Sequence, residues 1–502
     1  MAQSSGENGK RSVSTQVLGT SGMKKTLSLW NYFTIGFGAI IGSGWILLVG
    51  DWMIIGGGPI AAMIAFFIGA LLLLPIGAVF GELTAAIPIS GGIVEYVDRT
   101  FGRNASYLTG WFLALGNGIL CPWEAIAIST LISEMFGEFF PLLKAVKLYS
   151  VLGADVYLFP TLITLGLAIY VIILNFKGAF TAAKLQAFLI KVLFVGMILA
   201  MAISVIKGSS FHVFPVFLPV IGTGSATSAA NLWEGIISVL VMAPFFYAGF
   251  DTIPQQAEES AEGLDWNRFG KVIGLVLLAS SGFYMICIYS FGTLVPWTEF
   301  IKENVPALAS LQNISVPLYV VMLCIATLSP MGPMNSFYSA TARILLAMGR
   351  KGQLPASFAK VSTRSGTPVA GNMLLAALTI IGPFLGKNML IPLTNVSALA
   401  FIFACTMVSF SCLRMRRTEP NLPRPYKVPG GQWGIGAACT AGCIFVAFMM
   451  IPNSPAALKL VEWGIILGWL MLGFCLNLYL CRGNRCSATG RQKTHVVDEH
   501  FE

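Results

Sequence analysis

Of 502 residues, 56% are hydrophobic and only 11% charged, whereas soluble globular domains carry about a quarter charged residues. That balance excludes a soluble globule, and repeated apolar runs of about 20 residues point to a polytopic helical membrane protein. The formal charge of +9 falls mostly in alternate loops, the pattern of a positive cytoplasmic side and not of a nucleic-acid partner. Ten cysteines are scattered without a CxxC pair, and the histidines stand only at 212, 495 and 500. Metal, cofactor and hydrolytic chemistry therefore have no constellation to work with.

The first 28 residues are polar, with Lys10, Arg11, Lys24 and Lys25 but no apolar core. They read as a disordered cytoplasmic tail, not a signal peptide. Apolar runs then predict about twelve spans, at 30–55, 58–86, 105–136, 156–175, 183–206, 231–260, 269–296, 315–349, 367–386, 389–413, 432–452 and 457–481. Placing the N-terminus inside leaves only Lys144, Lys147, Lys207, Lys302, Lys387 and, at the outer edge of span 12, Lys459 on the outside, with Lys191 deep within a span. Spans 1–5 (29–206) and 6–10 (231–416) form two groups. An external loop (207–230) separates them, a cytoplasmic loop (417–431) follows, spans 11–12 occupy 432–481, and a cytoplasmic tail covers 482–502. Five is odd, so a related second group must cross in the opposite sense: a 5+5 inverted repeat in an all-α protein. The expected location is the plasma (inner) membrane, with both termini cytoplasmic.

Span 1 is interrupted by Ile41-Gly42-Ser43-Gly44-Trp45. Gly and Ser are poor helix formers, and unwound backbone at mid-membrane survives only beside a cavity or buried in protein. Such a break points to a transporter binding site, with free N–H groups at Gly42, Ser43 and Gly44 suited to a carboxylate. Small residues also serve close helix packing, so the stretch alone leaves both readings open. Span 6 carries a second interruption, Phe245-Phe246-Tyr247-Ala248-Gly249-Phe250-Asp251, flanked by Pro244 and Pro254. Two breaks at matched positions favour the transporter.

Five motifs in order carry a family likeness: Gly36-Phe37-Gly38-Ala39-Ile40-Ile41-Gly42-Ser43-Gly44, Gly81-Glu82-Leu83 with Pro88-Ile89-Ser90-Gly91-Gly92, Tyr247-Ala248-Gly249-Phe250-Asp251 with Ala257-Glu258-Glu259, Arg343 to Arg350, and Arg424-Pro425-Tyr426-Lys427-Val428-Pro429. Over about residues 27–480 the chain resembles the amino acid–polyamine–organocation family of secondary transporters, which have the LeuT-type fold. The resemblance implies a substrate carboxylate on the amides of Gly42, Ser43 and Gly44, and an ammonium on the carbonyls of Phe245, Phe246 and Ala248. Helix dipoles give the same polarity. Trp45 stands where many relatives carry a smaller aliphatic residue, and either narrows the pocket or gates it.

Charge within a span marks function by default, and three ionisable residues well inside the spans stand out. Glu124 in span 3 is a proton site, a partner for a cationic substrate group, or a protonated structural acid. Asp251 caps the resumed span 6 or contacts substrate or proton. Lys191 lies about 12 Å into span 5, at roughly 1.5 Å per residue; it snorkels or couples ions. In some proton-coupled relatives a lysine near this position replaces a sodium ion, which implies an ammonium held against span 1 carbonyls. The reading that results is an alternating-access transporter of amino acids, driven by a proton gradient in preference to sodium, as a monomer or homodimer in the lipid bilayer. The nearest rival is an amine, polyamine or amino acid/amine exchanger of the same fold. A membrane enzyme lacks a catalytic cluster, and a sensor lacks an appended domain.

Overall fold

Inside a bilayer every backbone polar group must find a partner within the protein, so long apolar runs become helices. The computed structural model describes residues 27–490, apart from Ser90, Gly178, 220–228, Glu258, Glu259, Asn304 and Arg364, and gives backbone alone for 179–187, 189, 190, 200 and 480–490. The expected tails over 1–28 and 482–502 lie mostly outside the described residues, as does part of the external loop over 207–230.

Among the described residues eight helices are long and apolar enough to cross a membrane. They are Pro59–Ala86, Arg103–Phe139, Leu158–Lys177, Trp266–Leu294, Val316–Arg350, Lys387–Thr418, Gln432–Met450 and Leu460–Tyr479. A ninth span is bent, Leu29–Leu47 joined to Val49–Gly56 at 72°. Helix Ala179–Lys207, the segmented stretch 232–255 and the shorter apolar helix Val369–Phe384 lie between them. One element departs from the all-helical expectation: an antiparallel hairpin, Lys147–Val151 with Ala154–Tyr157, turned by Leu152 and Gly153 at positive φ. Its alternating Leu148, Ser150, Asp155 and Tyr157 suit a strand, but a loop between two spans gave no reason to look for one.

Small residues set the closest helix approaches, as they do where lipid offers no hydrophobic drive. A Cβ at Gly81 would lie 2.8 Å from Gly270 Cα, and one at Gly116 would lie 3.0 Å from the Phe401 nitrogen. These contacts seat 59–86 on 266–294 and 103–131 on 390–418. The 103–139 helix is central, 83% of its apolar window being buried against 22% for 460–479. Outward-facing Phe67, Leu71, Tyr170, Ile198, Met471 and Phe474 present the apolar surface that lipid requires.

The loops gather at two faces. Leu27 pairs with Ser260, Arg103 donates to the Gly352 carbonyl, and Arg99 lies 3.8 Å from Glu419. At the other face Tyr149 donates to the Phe384 carbonyl (2.7 Å), Asn388 to that of Leu152 (2.8 Å) and Trp297 to that of Pro215 (3.0 Å).

Candidate functional site

Helix 29–40 ends at Ile40, where Gly42, Ser43 and Gly44 stop its propagation, and Ile41 still donates to the Phe37 carbonyl (3.0 Å). The chain resumes as Gly44–Leu47, with the Ser43 carbonyl accepting from Ile46 and Leu47 (both 3.1 Å). It then bends at Leu48 and continues as Val49–Gly56. That second bend has neither Gly nor Pro at its centre, and the sequence carried no signal for it.

The other interruption comes in stages: Leu232–Leu240, Ala243–Tyr247, then Thr252–Gln255. Pro244 has no N–H for the Leu240 carbonyl, which accounts for the first gap. Gly249 accounts for the second. Its φ is +129°, a conformation that glycine adopts far more readily than other residues. A Cβ there would also stand 2.8 Å from the Ile40 nitrogen. The missing side chain is what lets the second break lie directly on the end of the first helix.

Glu124, 2% exposed, reaches this junction from the middle of helix 103–131. Its Oε2 accepts from the Ser43 hydroxyl at 2.6 Å, and a Cβ on Gly42 would run into Oε1. The carboxyl thus occupies the start of the resumed helix, where an anion is favoured. Phe246 and Trp123 close over Gly44, 2.9 and 3.6 Å from where its Cβ would stand. Trp123 is held by the Leu390 carbonyl (3.1 Å) and the Thr394 hydroxyl (3.0 Å).

Trp45 is fully buried and lies against Phe283 and Phe291 of helix 266–294, at ring distances of 5.8 and 6.0 Å. Asp251 accepts from the Gly249 N–H (3.1 Å), Asn117 (2.7 Å) and Gln255 (2.9 Å), so its carboxylate stitches the second break to helix 103–131. The Phe245 carbonyl accepts from the Ala248 N–H (3.1 Å). Asn335 accepts from Asn175 (2.7 Å), and the Met334 carbonyl faces the Cys121 thiol (3.7 Å). Lys191 is not brought to the junction: it is exposed on helix 179–207, one turn before Phe194, whose ring lies 5.0 Å from that of Phe37.

Sequence reasoning missed Tyr284. Its hydroxyl lies 3.1 Å from the Ile40 carbonyl and 3.0 Å from that of Phe246, so it touches both breaks. A lone Tyr inside an apolar run has no mark that separates it from packing. A cleft also opens on the face that carries the 147–157 hairpin, lined by Leu47, Asp51, Lys302, Glu303, Lys387 and Leu390 among others.

The family profile that matches residues 27–475 is that of the amino acid permeases. The chain is 24% identical to the branched-chain amino acid permease BcaP of Bacillus subtilis, over 84% of this chain and 88% of that protein. It is 27% identical to the aspartate-proton symporter of the same organism, over 91% and 84% of the two chains. To the gamma-aminobutyric acid permease of Bacillus subtilis it is 25% identical, over 81% and 83%. With a matching profile over nearly its whole length and paired helix breaks at its centre, the chain belongs to the amino acid permease family, a family of transporters and not of enzymes.

Proposed function

We propose that this permease is a secondary active transporter that takes up amino acids together with a proton, by alternating access around the two breaks. The observation that carries the reading is the 2.6 Å contact between Ser43 and the buried Glu124 carboxyl. An incoming substrate carboxylate seeks the same N–H groups at Gly42, Ser43 and Gly44. Two unit charges about 4 Å apart repel by roughly 4 kcal/mol at an effective dielectric near 20. Loading therefore favours a neutral Glu124, and the proton that neutralises it travels with the substrate. The ammonium then meets carbonyls at the second break, those of Phe245, Phe246 and Ala248. Twelve spans with a 5+5 inverted repeat, cytoplasmic termini and a plasma-membrane location complete this reading, with 179–207, 232–255 and 369–384 supplying the further crossings. Lys191 is the ion-coupling residue in this scheme, its ammonium reaching the span 1 carbonyls in another stage of the cycle.

The position of Glu124 also suits a second reading, exchange of amines, in which an ionised Glu124 faces a cationic group. Competition of amino acid uptake by decarboxylated analogues separates the two. The main test is uptake into proteoliposomes over a panel of amino acids, with and without an inward proton gradient and with sodium removed. Uptake is expected to follow the gradient and ignore sodium, and Lys191→Ala to keep the fold while losing gradient-driven accumulation. Accumulation that needs sodium, or that persists when the proton gradient is reversed, would refute proton coupling.

A further inference from the structure

Each break frees a carbonyl that faces helix 266–294. The Ile40 carbonyl loses its helical partner where the chain turns at Ile41–Ser43, and the Phe246 carbonyl loses its own where 248–251 unwinds. No backbone N–H reaches either oxygen among the described residues. Both instead converge on the Tyr284 hydroxyl, at 3.1 and 3.0 Å. A phenol has one proton to give, so at any moment one carbonyl faces it without a hydrogen between them. The ring cannot drift to favour one side: it stacks on Phe66 at 4.8 Å and meets Trp52 edge-on at 5.8 Å. Three oxygens from three different helices are thus held together with one donor too few.

We propose that Tyr284 is a positioning residue that sets the preference for an amine: it keeps both freed carbonyls turned to one point and yields one of them to the substrate's ammonium. The missing donor in the empty protein is the one the substrate brings. Contact between the two broken helices and recognition of the amine then become a single event, because the same hydroxyl serves both. This rests on the amino acid transport reading above.

The test compares wild type with Tyr284→Phe, which keeps the ring and removes the donor. Two constants are measured in proteoliposomes: KM for the amino acid carried best in the uptake panel, and the inhibition constant of the same molecule lacking its amino group. Tyr284→Phe is expected to raise KM about tenfold, the scale of one hydrogen bond near a charge, and to leave the des-amino inhibitor unchanged. A merely structural role would move both constants together, and that result overturns the proposal, as does no change in either. Replacement of Tyr284 by 4-aminophenylalanine restores a donor on the same ring and is expected to keep the amine preference. If Tyr284→Phe does not accumulate, this second variant decides alone, since loss of the preference in it is equally fatal. Wild type that carries no amino acid sinks the transport reading and this proposal together, whereas normal wild-type transport with unaltered Tyr284→Phe constants sinks this proposal only.

Discussion

Two of the carboxylates buried in this permease, Glu82 and Glu124, have opposite surroundings. Glu82, near the end of helix 59–86, receives Arg416 through Nε (2.8 Å) and Nη2 (2.5 Å), the Val428 N–H (2.7 Å), and Arg424 at 3.4 Å. Glu124, at mid-membrane, receives the neutral Ser43 hydroxyl and has no ion-pair partner among the described residues. A charge taken out of water is stable only when paired and hydrogen-bonded. The first acid is answered by cations and locks the helix 390–418 end and the 424–428 loop onto helix 59–86. The second is left short of positive charge, so its ionisation is the cheaper thing to change. Burial alone does not mark a working acid; the kind of partner does.

Removing one partner of the locked acid should give the largest effect. Arg416→Ala leaves Glu82 buried with less compensation, a loss of about 3–5 kcal/mol, seen as poor accumulation or a strongly lowered melting temperature in detergent. A melting curve like that of wild type would show that Arg424 alone suffices. Next comes Glu124→Gln, which keeps a hydrogen-bonding partner for Ser43 without a titrating group. It is expected to fold normally and to exchange internal for external substrate, while losing acceleration by a proton gradient; retained gradient dependence would remove the contrast between the two acids.

The smallest effect belongs to a third cluster, outside the spans. Lys351 pairs with Glu95 (2.7 Å) and Asp98, and Arg99 with Glu95 (2.6 Å). Burial pushes the Glu95 carboxyl up, but hydrogen bonds from Lys351 and Arg99 outweigh it and hold the group below its ordinary 4.5. Burial pulls Lys351 down, and bonds to Asp98 and Glu95 carry it above 10.5. The Glu95 contribution is therefore lost only as pH falls below about 4.5, and that of Lys351 only as pH rises above about 10.5. Between pH 6 and 9 the stability difference between wild type and Lys351→Ala should stay constant in thermal melts. Any pH dependence of uptake in that window then arises elsewhere, and a difference that drifts across it would contradict this assignment.

Much of the scaffold was legible because bilayer chemistry is strict: apolar runs carry the positions of the eight long helices and the bent ninth, and small residues and prolines mark both breaks. What stayed hidden depends on contacts between distant segments. Glu124 could be placed at mid-depth, but not against Ser43, 81 residues away. Asp251 invited a cap, yet its donors come from Asn117, Gln255 and Gly249. The bend at Leu48 has no local signature, and Tyr284 matters only because two breaks converge on it.

Trp45 leans on Phe283 and Phe291, so its indole fills the seam between the resumed first helix and helix 266–294. The rings over Gly44 are those of Phe246 and Trp123 instead. Adapting the protein to bulkier cargo would thus mean trimming Phe246, because shaving Trp45 would hollow out a helix seam and leave the cradle its present width.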